Sequence, residues 1–291
     1  MASSLIEKAE EGKSPTIELK LAHSPDSDDA FMFYALATRK ISTRNILLKH
    51  VLADIESLNR RAQAETYDIT AISFHAYPYL ADKYVLLPCG ASFGDRYGPI
   101  LLSRASWGPG DLKGKRVAVP GKMTTACLAL QLYEPSVQLV VTPFDQILAA
   151  VSTGEADAGV VIHEGQLTYA EYGLTKIVDL GEWWYQETQL PLPLGANAIR
   201  HALDPHTKRV VAELMTESIQ YSLNHREEAL CYAQQFSRGL DHATADRFVS
   251  MYVNDWTLDL GPRGRLAVQT LLDRGFEKGL LPRAVKAEYA D

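Results

Sequence analysis

Apolar and polar positions alternate through Ile17-Glu18-Leu19-Lys20-Leu21-Ala22, the pattern of a half-buried strand. The turn Ser24-Pro25-Asp26-Ser27-Asp28-Asp29 follows, rich in helix-capping residues, and the apolar run from Ala30 to Arg39 predicts a helix. Asp28 and Asp29 suit its first turn, where carboxylates meet the positive end of the helix dipole. A second unit repeats the plan. Residues 46–52 read as a strand, Asp54 as the cap of a helix through Ala64, and residues 68–74 as another strand. The opening is therefore β-α-β-α-β, the grammar of a parallel sheet.

A strand begins near Gly98 and closes at Leu101 and Leu102, before the breaker Gly108-Pro109-Gly110-Asp111. A second α/β run starts there. Strands are predicted over 115–119, 137–141 and 156–162, and helices over 124–133, 144–153 and 164–172. Residues 174–179 read as an edge strand and 194–199 as a returning one. From His206 to Arg238 there is neither Gly nor Pro, and apolar residues keep helical spacing. Asn224 with Glu227 resembles a capping box that opens a further helix. More helices end near Gly279, and they read as a lid or brace.

The whole is an α/β protein of two lobes with a central cleft and C-terminal helices. Residues 1–15 read as a mobile leader, 16–100 with 200–291 as the first lobe, and 101–199 as the second. The chain crosses near Tyr97–Ser103 and again near Leu194–Arg200. Ligands of such sheets sit beyond the carboxyl ends of the strands, so the loops there are the candidate site.

Composition narrows the partners. The chain has 291 residues, with 36 acids against 29 bases and a net charge of −7. No basic cluster exceeds Lys113-Gly114-Lys115-Arg116, so nucleic acid is not an expected partner. A small anionic ligand stays compatible, because a few local donors can hold one. No apolar run is long enough for membrane insertion. Cys89, Cys127 and Cys231 are dispersed and odd in number, which suits a reducing cytoplasm; no Cys-x-x-Cys motif occurs. The N-terminal stretch shows no apolar core of a secretion signal.

Six places carry candidate chemistry, each with a plainer reading beside it. His163 ends a buried strand and reads as a proton acceptor facing the cleft, or as a histidine satisfying a backbone group. Pro120 to Ala126 joins a strand to a helix. There Thr124, Thr125 and free amides suit an anion, or Thr124 is simply a cap. Ser73 ends another buried strand, and its hydroxyl with the main chain of Ala71 and Ile72 can line the cleft, or it caps the next helix. Ser24 to Asp29 reads better as capping than as a metal loop. Arg96 either clamps a carboxylate or makes a surface ion pair. Trp183, Trp184 and Tyr185 read as packing between lobes rather than as a ligand platform.

Taken in order, these motifs resemble the 1,4-dihydroxy-6-naphthoate synthase family of the futalosine route to menaquinone. The similarity starts at Ser24-Pro25-Asp26-Ser27-Asp28-Asp29-Ala30-Phe31-Met32-Phe33 and runs through Ser73-Phe74-His75-Ala76 and Tyr97-Gly98-Pro99. It continues through Val119-Pro120-Gly121, Thr124-Thr125-Ala126, Asp157-Ala158-Gly159, His163-Glu164 and Thr168-Tyr169, and ends at Leu192-Pro193-Leu194-Gly195. The resemblance implies a type II periplasmic-binding-protein-like fold in a cytoplasmic lyase. It also implies conversion of cyclic dehypoxanthine futalosine to 1,4-dihydroxy-6-naphthoate with release of a three-carbon fragment and no cofactor or metal. It makes His163 the catalytic base and places Ala71, Ile72, Ser73, Thr124 and Thr125 around the substrate. Ser24, Arg96 and Asn197 join them as expected substrate contacts. There are departures: Asp26, Ser27, Asp28 and Ala30 replace four positions of the first motif, Asp28 standing for an asparagine, and Asn197 takes the place expected for a small apolar residue.

Two other functions remain beside this one. Chorismate dehydratase shares the fold, but its arginine- and serine-rich pocket motifs are not evident here. A solute-binding protein for a small organic acid needs no base such as His163. The sequence leaves the oligomeric state open.

Overall fold

The computed structural model describes residues 16–236 and 239–290; the expected leader lies outside them. Among the described residues, eleven strands form two sheets. The first sheet contains β1 (Ile17–His23), β2 (Ile46–Leu52), β3 (Ile69–Ser73), β4 (Tyr84–Leu86), β5 (Ser92–Gly94) and β11 (Leu192–Arg200). The second contains β6 (Ile100–Ser103), β7 (Arg116–Val119), β8 (Gln138–Val141), β9 (Ala158–Val161) and β10 (Thr175–Asp179). The first is ordered β2-β1-β3-β11-β4, with β5 also on β11; the second is β10-β6-β9-β7-β8. The expected edge strand over 174–179 forms as β10, at the end of the second sheet.

The parallel sheets expected from the β-α-β order are in fact mixed. β1, β2 and β3 run parallel, but β11 runs antiparallel to β3, β4 and β5. In the second sheet β6 is antiparallel to β9 and β10, while β7 is parallel to β8 and β9. The reason is connectivity. The chain leaves the first sheet along β6 and comes back along β11, and each entering strand runs against its neighbours. Residues 192–199, assigned to the second lobe by sequence, are hydrogen-bonded in the first sheet.

The first crossing packs against the segment that follows β10. The Leu180 amide donates to the Pro99 carbonyl (2.9 Å), and Gly98 and Gly181 meet backbone to backbone. A Cβ on Gly181 would stand 1.9 Å from the Tyr97 carbonyl oxygen, so only glycine fits.

Local rules account for most elements. Asp54 caps the helix Ile55–Ala62 by accepting from the Ser57 amide, and Thr124 caps Thr125–Tyr133 by accepting from the Cys127 amide. Asp179 caps a helix that sequence patterning missed, Leu180–Thr188, which holds the Trp183-Trp184 pair. Trp184 is fully buried and donates from Nε1 to the Pro191 carbonyl, the packing role expected for that cluster. The expected Asn224–Glu227 capping box does not form. The helix Pro205–Asn224 runs through Asn224, His225 precedes the next helix, and the Asn224 side chain accepts from Gln220.

Helices Pro205–Asn224, Arg226–Ala233 and His242–Tyr252 pack on helix Ser27–Ala37 in one apolar cluster, which includes Phe31, Phe33, Met215, Ile219, Leu230 and Val249. Each such fully buried side chain contributes roughly 1.5–3 kcal/mol, which fixes the brace to the first sheet. Among the described residues, no helix is long and apolar enough to cross a membrane.

Candidate active site

A cavity opens between the sheets, and both walls are built from turns at the carboxyl ends of strands. Ser24, Asp26, Asp28 and Asp29 line it from the turn after β1; Ala71, Ile72 and Ser73 from the end of β3. Thr124, Thr125 and Ala126 come from the opposite lobe, and Leu194 to Asn197 from β11. Gln166 and Tyr252 also reach it, as does Ile162. Thus seven of the nine expected site residues converge here: Ser24, Ala71, Ile72, Ser73, Thr124, Thr125 and Asn197. Asp26, Asp28, Asp29, Gln166 and Tyr252 join them. The aspartates carried a signal, being three carboxylates at one strand end. Nothing local announced Tyr252, which arrives from the C-terminal helices.

Arg96 and His163 are the two exceptions. Arg96 sits in the left-handed backbone region (φ 66°) on the rim, where it donates to the Tyr185 hydroxyl (2.9 Å) and stacks on that ring. It does not reach the cavity. His163 is buried behind the wall rather than facing the cleft. Its Nδ1 accepts from the Gly165 amide (3.0 Å), and its Nε2 lies 3.0 Å from the Phe144 carbonyl, to which it donates. That pair of bonds defines a neutral ring protonated on Nε2. Its neighbours Ile162 and Gln166 line the cavity in its stead. Gly165 lets the ring pack closely, since a Cβ there would lie 2.7 Å from the imidazole Cε1.

The threonine hydroxyls are engaged within the protein. Thr124 Oγ1 donates to Gly121 O (2.8 Å) and accepts from Cys127 N. Thr125 Oγ1 donates to Leu194 O (2.6 Å) and accepts from His75 N. The groups this turn can offer a ligand are instead the first amides of helix Thr125–Tyr133, which have no acceptor within the helix. Lobe 1 holds the turn in place. Glu56 accepts from Met123 N (3.0 Å), and His75 Nδ1 donates to Thr124 O (3.0 Å). Burial lowers the His75 pKa, so the ring is a neutral donor.

Ser73 is not a cap. Its amide donates to Asn59 Oδ1 (2.8 Å) and its Oγ accepts from Asn59 Nδ2 (3.1 Å), so the hydroxyl proton is available to the cavity. The Ser24 turn also differs from simple capping. Asp26 occupies the N-cap position without a side-chain cap bond and accepts from Ser24 Oγ (2.6 Å), while Asp29 accepts from Ser24 N (2.7 Å). Burial, then the negative charges of Asp26 and Glu164, push the Asp28 carboxyl up to about 7. Burial and Asp28 raise Asp29 as well. Among the described residues, no group of three or more His, Cys, Asp or Glu is placed to hold a metal ion. Gln166 Oε1 accepts from the Tyr252 hydroxyl (2.8 Å), a bond that ties the second lobe to the brace and narrows the cleft.

The sequence profile of the menaquinone biosynthesis family matches residues 19–277. The chain belongs to this family. Its relatives include a Thermus thermophilus protein named 1,4-dihydroxy-6-naphthoate synthase, 40% identical over 90% of this chain and 95% of that one. A Streptomyces coelicolor protein of the same name is 37% identical over 91% and 95%. A crystal structure of an Archaeoglobus fulgidus protein superposes with a TM-score of 0.87 at 46% identity, covering 91% of this chain and 98% of that one. The alkanesulfonate-binding protein SsuA from Xanthomonas axonopodis superposes at 0.73 with 15% identity, covering 94% and 97%. That likeness concerns the fold alone. This chain therefore has a periplasmic-binding-protein architecture, and it is an enzyme of menaquinone biosynthesis.

Proposed function

We propose that this chain is a 1,4-dihydroxy-6-naphthoate synthase. It converts cyclic dehypoxanthine futalosine to 1,4-dihydroxy-6-naphthoate and a three-carbon fragment, as a cofactor-independent carbon–carbon lyase of the cytoplasm. The observation that carries this is identity of 37–40% with proteins of that name over at least nine-tenths of the chain. The cleft supports it. Amides at the start of helix Thr125–Tyr133 suit the substrate carboxylate, with the Ser73 hydroxyl beside them. Closed lobes, joined by the Tyr252–Gln166 bond, exclude water from the intermediate.

His163 is the proposed proton acceptor. Its Nδ1 lone pair is held by one backbone amide, that of Gly165. To act as base, Nδ1 exchanges that amide for the substrate proton. Carbon–carbon cleavage follows, driven by aromatisation of the ring. The direct test is to incubate purified protein with cyclic dehypoxanthine futalosine and to follow naphthoate by chromatography, with chorismate in parallel. Naphthoate at catalytic rates supports the reading. Silence from folded protein, or turnover of chorismate instead, overturns it.

A further inference from the structure

Asn197 is 1% exposed, lies on the cavity wall, and has a side-chain oxygen with no hydrogen-bond partner. Its Nδ2 donates to the Gly90 carbonyl (2.9 Å). That bond fixes which way the amide faces, since the reversed amide would set two oxygens together. Gly90 is positioned for this: its φ of +72° is left-handed, and a Cβ there would stand 2.7 Å from Asn197 Nδ2. A buried acceptor without a donor costs roughly 1–3 kcal/mol, so a ligand that supplies the donor gains that much in selectivity. Asp28 brings a carboxyl to the same cavity from the start of helix Ser27–Ala37.

We infer that Asn197 and Asp28 form a hydroxyl-reading subsite, which accepts hydrogen bonds from neutral O–H groups of the substrate. The pair sets specificity for a polyhydroxylated ligand whose carboxylate lies across the cleft at Thr125 and Ala126. The inference rests on the proposed reaction, whose substrate bears hydroxyls as well as a carboxylate. Neutral donors fit better than an ammonium. Asn197 carries no charge, and burial together with the charge of Asp26 drives the Asp28 carboxyl toward its neutral form.

The test uses three five-carbon carboxylates that differ only in what they present beyond the carboxylate: ribonate, pentanoate and 5-aminopentanoate. Calorimetric titration of the full chain should give ribonate at least tenfold tighter than either of the others. Asn197→Leu should remove that preference while leaving pentanoate within twofold. Asp28→Ala is the second variant. It removes a desolvated carboxyl rather than creating one, so it folds, and it should weaken ribonate severalfold with pentanoate unchanged. Ribonate no tighter than pentanoate overturns the inference, and so does preference for 5-aminopentanoate. Equal loss of ribonate and pentanoate in Asn197→Leu also overturns it, because Asn197 would then be only a structural tie to Gly90. If Asn197→Leu fails to fold, Asp28→Ala decides. These readouts need no turnover. A ribonate preference without naphthoate formation would sink the proposed reaction and spare the subsite; naphthoate formation without the preference would do the reverse.

Discussion

The turns Ser24–Asp29 and Gly121–Ala126 are the same local device, a strand feeding a helix at the edge of one cavity, yet they offer a ligand opposite polarity. In the first, backbone donors are drawn inward: the Ser24 amide goes to Asp29, and carboxyl groups are left facing the cavity. In the second, side chains are drawn inward: both threonine hydroxyls bond to main-chain carbonyls, and helix-end amides are left. Helix polarity alone therefore does not decide what a strand-to-helix turn binds. What decides is whether side chain or backbone is consumed in building the turn.

Four variants break or sharpen that contrast. The largest effect is expected at His163, on the donor side. If the amides only bind and His163 does the chemistry, His163→Ala should fold and lose about 10²–10⁴-fold in naphthoate formation. Near-normal turnover would move the chemistry to the acidic wall. Asp28→Asn probes that wall through stability. The folded carboxyl titrates at about 7, raised from its ordinary 3.8. Between those values the unfolded chain has released its proton and the folded one has not, so stability falls as pH rises from about 4 to about 7. Asp28→Asn removes the Asp28 share of that slope and leaves the share of Asp29, which burial also raises. It should be more stable than the parent by on the order of 1–2 kcal/mol at pH 8, and equal to it at pH 4, in urea titrations.

Thr124→Ala removes the cap of the second turn and should cost about 1 kcal/mol in the same titration, with Thr124→Ser restoring most of it. A larger loss of activity than of stability would mean that the hydroxyl itself meets substrate. The smallest effect belongs to Arg96→Ala. Its guanidinium rests on the Tyr185 ring outside the cavity, so naphthoate formation should stay within twofold and stability within about 0.5 kcal/mol.

The two turns are legible in the sequence because each has a strong local cause: the alternation of β1 before the first and the Thr124 cap in the second act within a few residues. It missed β4 and β5, which are three residues each and too short to show a period. The Asn224–Glu227 motif misled because a capping pattern cannot show that the previous helix has yet to end. His163 was placed in the cleft on the strength of its strand end, but strand position does not fix which way the following turn rotates the ring. Tyr252 was invisible because its role depends on a contact with Gln166, 86 residues away in the chain. Assigning residues 192–199 to the wrong lobe has the same origin, since strand pairing over long separations leaves no local trace.

That last strand has a consequence for the making of the protein. β3 pairs with β11 from Ile69↔Ile199 to Ser73↔Gly195, and all of β6 to β10 is encoded between them. A chain emerging from the ribosome therefore exposes one edge of β3 until residue 200 is out, while the second sheet already has every strand it needs. The lobe that is begun first is finished last. Translation that stalls before Leu192 should leave an open strand edge, the species most prone to aggregate and most in need of a chaperone.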